Sequence, residues 1–360
     1  KKAWSVDKET MEYIVETYND RVATLVMDYK SLIKVNGTYV RGLDKVIMAD
    51  GRIHPNYNIA LTVTGRTSSD DPNIQNFPKR NKKQKIIRRF VVPPKDHKIF
   101  SFDYGQIEAR LFGVVTADRA FVDALWDDMD IHTENAKIIF DTDTPTSDQR
   151  TATKMGTFGL LYGGGPPTVS AEVGTTVEKI AKLRKILFSK YPGLKAWQKE
   201  ELRFEAKHGY IENLFGRRRR APMEYSEKLN TKIQGTASDM TAVSKVALHK
   251  RFDCSWMIHD DLSFFMRLLQ DTEDDLFFIA TTMLTVPWVF MQYSPWVKEW
   301  VPMQVEAEVG DNWCDMEELF TVTSLDIGVR SLEDSVDVGK MCLEELNVQI
   351  PEVHEFLKAA

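Results

Sequence analysis

The chain has 360 residues, 43% of them hydrophobic and 28% charged, with a formal net charge of −6. That balance excludes a disordered or low-complexity chain and supplies enough apolar mass for one large domain or two or three subdomains. Three cysteines, Cys254, Cys314 and Cys342, are odd in number and far apart, which argues against a disulfide framework or a Cys-x-x-Cys zinc site and for a reducing compartment.

In chain order, ETMEYIVETYNDRVATLVMDYKSLIK (9–34) reads as a helix. KRNKKQKIIRR (79–89) carries seven basic residues in eleven, which suggests a phosphate-tracking surface in an acidic chain. HKIFSFDYG (97–105) reads as a buried strand ending in an acid, and QIEARLFGVVT and ENAKIIF read as helices. TPTSDQRTATKMGTFGLLYGGGPP (144–167) has the sharpest boundaries: Thr146 and Gln149 form a capping box, and the Gly-Pro run stops the helix. A long helical region follows, broken at Pro192-Gly193, and GRRRR (216–220) is a second basic cluster. Residues 230–252 read as helix, and CSWMIHDDLSFFM as a hairpin with Asp260 and Asp261 at its turn. The greasiest stretch, 284–300, is interrupted by Pro287, Pro295, Lys298 and Glu299, so no membrane span is expected. From Asp315 onward there are eleven Asp/Glu against three Lys/Arg.

Two patterns carry chemistry. Arg150, Lys154, Phe158 and Tyr162 recur every fourth residue, a stripe about 18 Å long with two cations followed by two aromatics. A ligand charged at one end and flat at the other, a nucleoside triphosphate, matches it. Adjacent Asp260 and Asp261 repel one another and are costly to desolvate. With Asp103 at a strand end they form the kind of carboxylate set that holds two Mg²⁺ ions, about 3.5–4 Å apart, at a phosphoryl-transfer centre.

At this point the chain resembles the family A, or polymerase I-like, DNA polymerases, from about residue 30 to Trp313, with a phage-type relative included. TGRTSSDDPNIQNFPKR (64–80) is similar to a family segment, DYGQIEAR to motif A, QRTATKMGTFGLLYG (149–163) to motif B and MIHDDLSFF to motif C; YPGLKAW, GYIENLFGRRR and NTKIQGTASDM match the connecting segments.

The resemblance implies an α+β right hand with an antiparallel palm sheet, helical fingers and a partial thumb. Its parts would be a thumb remnant over 1–45, palm over 46–117 and 226–313, fingers over 118–225 and an acidic C-terminal extension over 314–360. The implied reaction is template-directed addition of dNMP to a primer 3′-OH with two Mg²⁺ ions. Asp103, Asp260 and the Tyr104 carbonyl would hold metal, with Asp261 beside them on a shorter arm than the family's Glu. Arg150 and Lys154 would bind the triphosphate, and Lys154 would also protonate the leaving pyrophosphate. Phe158, Tyr162 and His132 would line the nucleotide site, and Glu108 would exclude a 2′-hydroxyl. Arg66, Asn230, Gln234 and His259 would touch DNA. Gly105 replaces the usual Ser and is expected to loosen the backbone, and Ser226 replaces an Arg that contacts template. The residues ahead of motif A leave no room in this chain for a 3′→5′ exonuclease domain. Expected partners are primer–template DNA, dNTPs and a replication protein at the C-terminal extension. The expected setting is the cytoplasm of a bacterium or phage-infected cell, or an organelle. A single-subunit RNA polymerase is disfavoured by Glu108, and a non-catalytic DNA-binding relative by the retention of all three acids.

Overall fold

The computed structural model describes residues 7–359 except 60, 80, 81 and 128, and leaves aside the side chains of 8, 9, 16, 82, 83, 356, 358 and 359. Two units divide the chain, the smaller formed by 7–58, 68–99 and 310–317, the larger by 59–67, 100–309 and 318–360.

The smaller unit begins with α1 (Lys8–Tyr18) and α2 (Arg21–Lys34), where the apolar periodicity predicts one continuous helix. The dipeptide between them explains the break. Asn19 adopts the left-handed conformation that ends α1, and the Asp20 carboxylate accepts from the Ala23 amide at 2.7 Å to start α2. A wider helical turn (Val35–Val40) leads into α3 (Arg41–Asp44), and β1 (Asn56–Asn58) pairs antiparallel with β2 (Ser68–Asp70). After α4 (Lys82–Lys85) the basic run turns inward. Arg88 is buried, donates to the carbonyls of Phe77 and Pro78 at 3.0 Å each, and lies 3.9 Å over the Trp313 ring. Arg89 pairs with Asp315 at 2.9 Å. Part of the expected phosphate-tracking cluster is therefore engaged inside the unit; Arg80 and Asn81 lie outside the described residues.

β3 (His97–Tyr104) lies in the larger unit from Phe100 on, is the middle strand of five, and its residues 100–102 and 104 are buried. Helices α5 (Ile107–Thr116), α6 (Arg119–Trp126), α7 (Ile131–Phe140), α8 (Ser147–Leu161), α9 (Pro166–Val173), α10 (Val177–Lys190) and α11 (Pro192–His208) follow, the last two separated at Pro192 as expected. A short hairpin, β4 (Tyr210–Glu212) with β5 (Arg218–Arg220), precedes α12 (Tyr225–Leu248). Then come β6 (Cys254–Ile258), β7 (Asp261–Arg267), α13 (Thr272–Met291), β8 (Gln304–Gly310), β9 (Glu317–Thr323), α14 (Leu332–Glu345) and α15 (Ile350–Ala359). The sheet order is β6-β7-β3-β8-β9, giving the mixed helix and antiparallel-sheet class expected. The Tyr104 hydroxyl donates to the Met283 carbonyl at 2.6 Å and lies 3.1 Å from Ser244 Oγ, tying β3 to α13 and α12.

Helix α13 is long and apolar enough to cross a membrane, but 72% of its most apolar window is buried inside the protein, as in a core helix. It continues through Pro287. The acidic C-terminal extension is folded. β9 extends the sheet, and Cys342, Leu343, Leu346, Val348 and Val353 share a core with Val243, Val286 and Val289 of α12 and α13. The approach of α14 to α13 is close at Gly339, where a Cβ would stand 2.8 Å from the Thr285 carbonyl oxygen. Gly339→Val should therefore lower stability by about 2 kcal/mol, since overpacking against backbone outweighs the few tenths gained in helix propensity. Denaturant unfolding checks this, and an unchanged midpoint would remove α14 from its place on α13.

Candidate active site

The strand-end acid and the hairpin acids meet through the backbone. Ile258 pairs with Asp261, so His259 and Asp260 form a two-residue turn, with His259 at φ 56°. The Tyr104 amide donates to the Asp260 carbonyl at 3.4 Å, which sets Asp103 and Asp260 on neighbouring chain segments. The two hairpin carboxylates differ. Asp260 Oδ1 is buried with no hydrogen-bond partner, and burial pushes its carboxyl up while Arg66, His259 and Lys154 pull it down. Asp261 accepts from Ser263 Oγ at 2.7 Å and from Ser101 Oγ, so both its oxygens are held by serines. Among the described residues no three His, Cys, Asp or Glu side chains converge as a metal cluster. Two carboxylates plus a carbonyl would be the available donor set, and the orphan oxygen of Asp260 with its hard, anionic chemistry fits a divalent cation.

Beyond Tyr104 the chain turns sharply into α5. Gly105 does not loosen this turn, contrary to expectation. Its amide donates to the Gln304 carbonyl at 2.9 Å, its carbonyl accepts from Arg110 Nε at 3.1 Å, and a Cβ there would sit 2.8 Å from Gln304 Cδ. Arg110, 2% exposed, also donates to the Pro302 carbonyl at 2.5 Å and to Gln304 Oε1 at 3.0 Å. Glu108 follows in the first turn of α5. Its carboxylate accepts from Tyr162 Oη at 2.8 Å and lies 3.9 Å from the Arg66 guanidinium. Burial raises the Glu108 carboxyl, partly offset by Tyr162, Arg66 and Lys154, and raises the Tyr162 phenol strongly. Arg66 is delivered by the segment 59–67: Thr62 Oγ1 donates to its carbonyl at 2.5 Å and Ser238 Oγ to the Gly65 carbonyl at 2.8 Å.

Helix α8 starts with the expected capping box. Arg150 is not a free cation, because its Nε donates to Asp130 at 2.6 Å. Burial pushes the Asp130 carboxyl up, but Arg150 and Thr133 hold it at about 2, and it also caps α7 at the His132 and Thr133 amides. Lys154 is exposed and, among the described residues, has no carboxylate at ion-pair distance. Phe158 and Tyr162 stack at 6.2 Å, and His132 lies 5.2 Å from Phe158. Both ring nitrogens of His132 are buried without partners. Asn230 Oδ1 on α12 is likewise buried and unpartnered, while Gln234 is half-buried. In GRRRR, Arg217 pairs with Asp239, Arg218 with Glu212 and Arg219 with Glu227, each at 2.5–2.6 Å, so three of its four charges are internally neutralised.

A family model, DNA polymerase family A, matches residues 1–315. The chain belongs to DNA polymerase family A. It is 31% identical over 337 residues to DNA polymerase I of Chloroflexus aurantiacus, covering 88% of this chain and 34% of that protein. It is 35% identical over 240 residues to DNA polymerase I of Streptococcus pneumoniae, covering 62% and 27%. It is 30% identical over 312 residues to the thermostable DNA polymerase I of Thermus thermophilus, covering 81% and 36%. The chain thus spans about a third of the length of these curated relatives. The fold is similar to the POL domain of Pol1 from M. smegmatis, solved in complex with DNA primer-template and dNTP, at a TM-score of 0.75 and 24% identity over 87% of this chain and 57% of that one.

The family A match begins at residue 1, upstream of the expected start near 30, and ends where the acidic region begins. Sequence reasoning missed Asp130, Ser101, Ser263 and Gln304. Only Asp130 carried a local signal, an acid standing just before a helix. His132 offers a direct check of burial. Burial, with Lys154 and Arg150 nearby, holds its folded value at about 4, below the usual 6.5. The folded state then binds fewer protons than the unfolded chain between those values, so stability is full above pH 6.5 and falls as pH drops toward 4. His132→Phe should lose about 2 kcal/mol less than the parent between pH 6.5 and pH 5. Urea unfolding at both pH values measures it; equal losses would mean a solvated ring.

Proposed function

We propose that this chain carries a template-directed DNA polymerase centre that adds dNMP to a primer 3′-OH and releases pyrophosphate. The observation that carries the proposal is the buried, unpartnered oxygen of Asp260 beside the Asp103 strand end, within the fields of Lys154 and Arg66. In this reading 46–117 and 226–313 form the palm, 118–225 the fingers and 1–45 part of a thumb. The folded C-terminal region braces α12 and α13, and any replication partner would meet its outer face.

Asp103, Asp260 and the Tyr104 carbonyl would hold two Mg²⁺ ions, which supply activation of the 3′-hydroxyl and charge stabilisation at the phosphates. Asp261, held by Ser101 and Ser263, orients the hairpin beside them. Lys154 neutralises triphosphate charge and gives its proton to the leaving pyrophosphate, a role its exposure and lack of a carboxylate partner suit. Arg150 reaches the phosphates while sharing Asp130, which keeps its guanidinium aimed before substrate arrives. Phe158 packs on the sugar, His132 supports it, and Tyr162 stands near the templating base. Arg66, Asn230, Gln234 and His259 contact primer–template.

Primer extension with matched dNTPs tests the reading. Asp260→Asn should cut kcat by about a thousandfold, about 4 kcal/mol at the transition state, with DNA affinity retained. Asp261→Asn should stay within about tenfold, because its carboxylate serves serines. Near-parental extension by the Asp260 variant, or equal damage from both, would overturn the assignment. The Tyr162–Glu108 bond fills the space expected beside C2′ of the incoming sugar, and Glu108→Ala opens it. Ribonucleotide incorporation should then rise by about a hundredfold or more relative to dNTP, a change of about 3 kcal/mol. A parent enzyme that uses rNTPs as readily as dNTPs would make this an RNA-synthesising centre instead.

A further inference from the structure

Helix α11 holds two helices of the proposed site at once. At one point Gln198 Nε2 donates to the Leu160 and Leu161 carbonyls, at 3.2 and 2.6 Å, at the C-terminal end of α8 next to Tyr162. One turn on, Glu201 accepts from Lys232 Nζ at 2.5 Å, and both side chains are 0% exposed. Another turn on, Glu205 pairs with Lys228 at 2.8 Å. Lys232 also lies 3.0 Å from the centre of the Trp296 ring, and the second oxygen of Glu201 is buried without a partner. Lys232 stands between Asn230 and Gln234 on α12.

The spacing matters as much as the burial. Glu201 and Glu205 are four residues apart on one helix, as Lys232 and Lys228 are on the other, so the two rungs match in one register only. A slide of one helix along the other would strand a buried charge. A buried pair of this kind gives little net stability over well-packed apolar residues of similar volume, and its best-attested use is to specify register.

We propose that Gln198, Glu201 and Lys232 are positioning residues: through α11 they fix the distance between the aromatic end of α8 and the Asn230–Gln234 face of α12. This rests on the polymerase reading, in which those two surfaces meet the incoming nucleotide and the primer terminus. Loss of the register leaves both sets of contacts intact but misaligns them.

The test uses the double variant Glu201→Leu/Lys232→Met, which removes both charges together and should melt at or above the parent temperature. Its kcat for the matched nucleotide should fall about tenfold, with primer–template Kd within twofold and discrimination against a mismatched primer end reduced. Gln198→Met should do the same, and the triple variant should be no worse than the double, as expected for one shared path. Hydrogen exchange of the 158–163 amides should quicken in the double variant. Unchanged kinetics and unchanged exchange in a folded double variant would make the pair purely structural and overturn the proposal. If the double fails to fold, exchange and kcat in Gln198→Met decide. Should the parent fail to extend primers, the polymerase reading falls, and exchange at 158–163 still decides whether α11 fixes α8.

Discussion

A guanidinium that cannot shed its charge sits at the centre of this fold. Arg110 is 2% exposed, and a buried cation without acceptors is intolerable, so its surroundings must supply them. They do so from two places far apart in sequence: the Gly105 carbonyl at the end of β3, and Pro302 and Gln304 at the entry to β8. Satisfying Arg110 therefore fixes how the middle strand turns into α5. Tyr104 lies just before that turn and Glu108 just after it, so the acid end of the strand and the carboxylate bonded to Tyr162 inherit one geometry. The absence of a side chain at residue 105 belongs to the same arrangement, because Gln304 occupies that space.

What could be read from the sequence was what forms locally. The start of α8 depends on Thr146 and Gln149 bonding to each other's backbone within four residues. The β6–β7 hairpin and the break at Pro192 are likewise properties of short stretches. The hidden features join distant residues. Ser101 and Asp261 are 160 positions apart, and nothing in either segment announces the bond between them. Arginine clusters are read only in part for the same reason: composition counts the charge of Arg217 but cannot see Asp239 waiting on α12. The α1–α2 break was local but masked, because the apolar rhythm runs across Asn19-Asp20 unbroken.

The C-terminal region shows how charge can obscure burial. It carries eleven acids, and its sequence is compatible with a docked helix or a partner-binding segment. Interleaved apolar residues, Leu343 and Leu346 at the end of α14 and Val353 in α15, complete a core with α12 and α13. The family match stops at residue 315, yet the packed structure does not, and β9 takes the sheet edge that β8 would otherwise expose.

The Lys232–Glu201 contact has a thermal consequence. Ion hydration carries an unfavourable entropy, so the cost of stripping water from both groups shrinks on warming, while the gain from apolar packing levels off. The disadvantage of such a pair relative to apolar contact in its place therefore narrows on warming. The α11–α12 junction, with Lys232 and Glu201 both 0% exposed, should then be comparatively costly to keep in the cold and less so on heating.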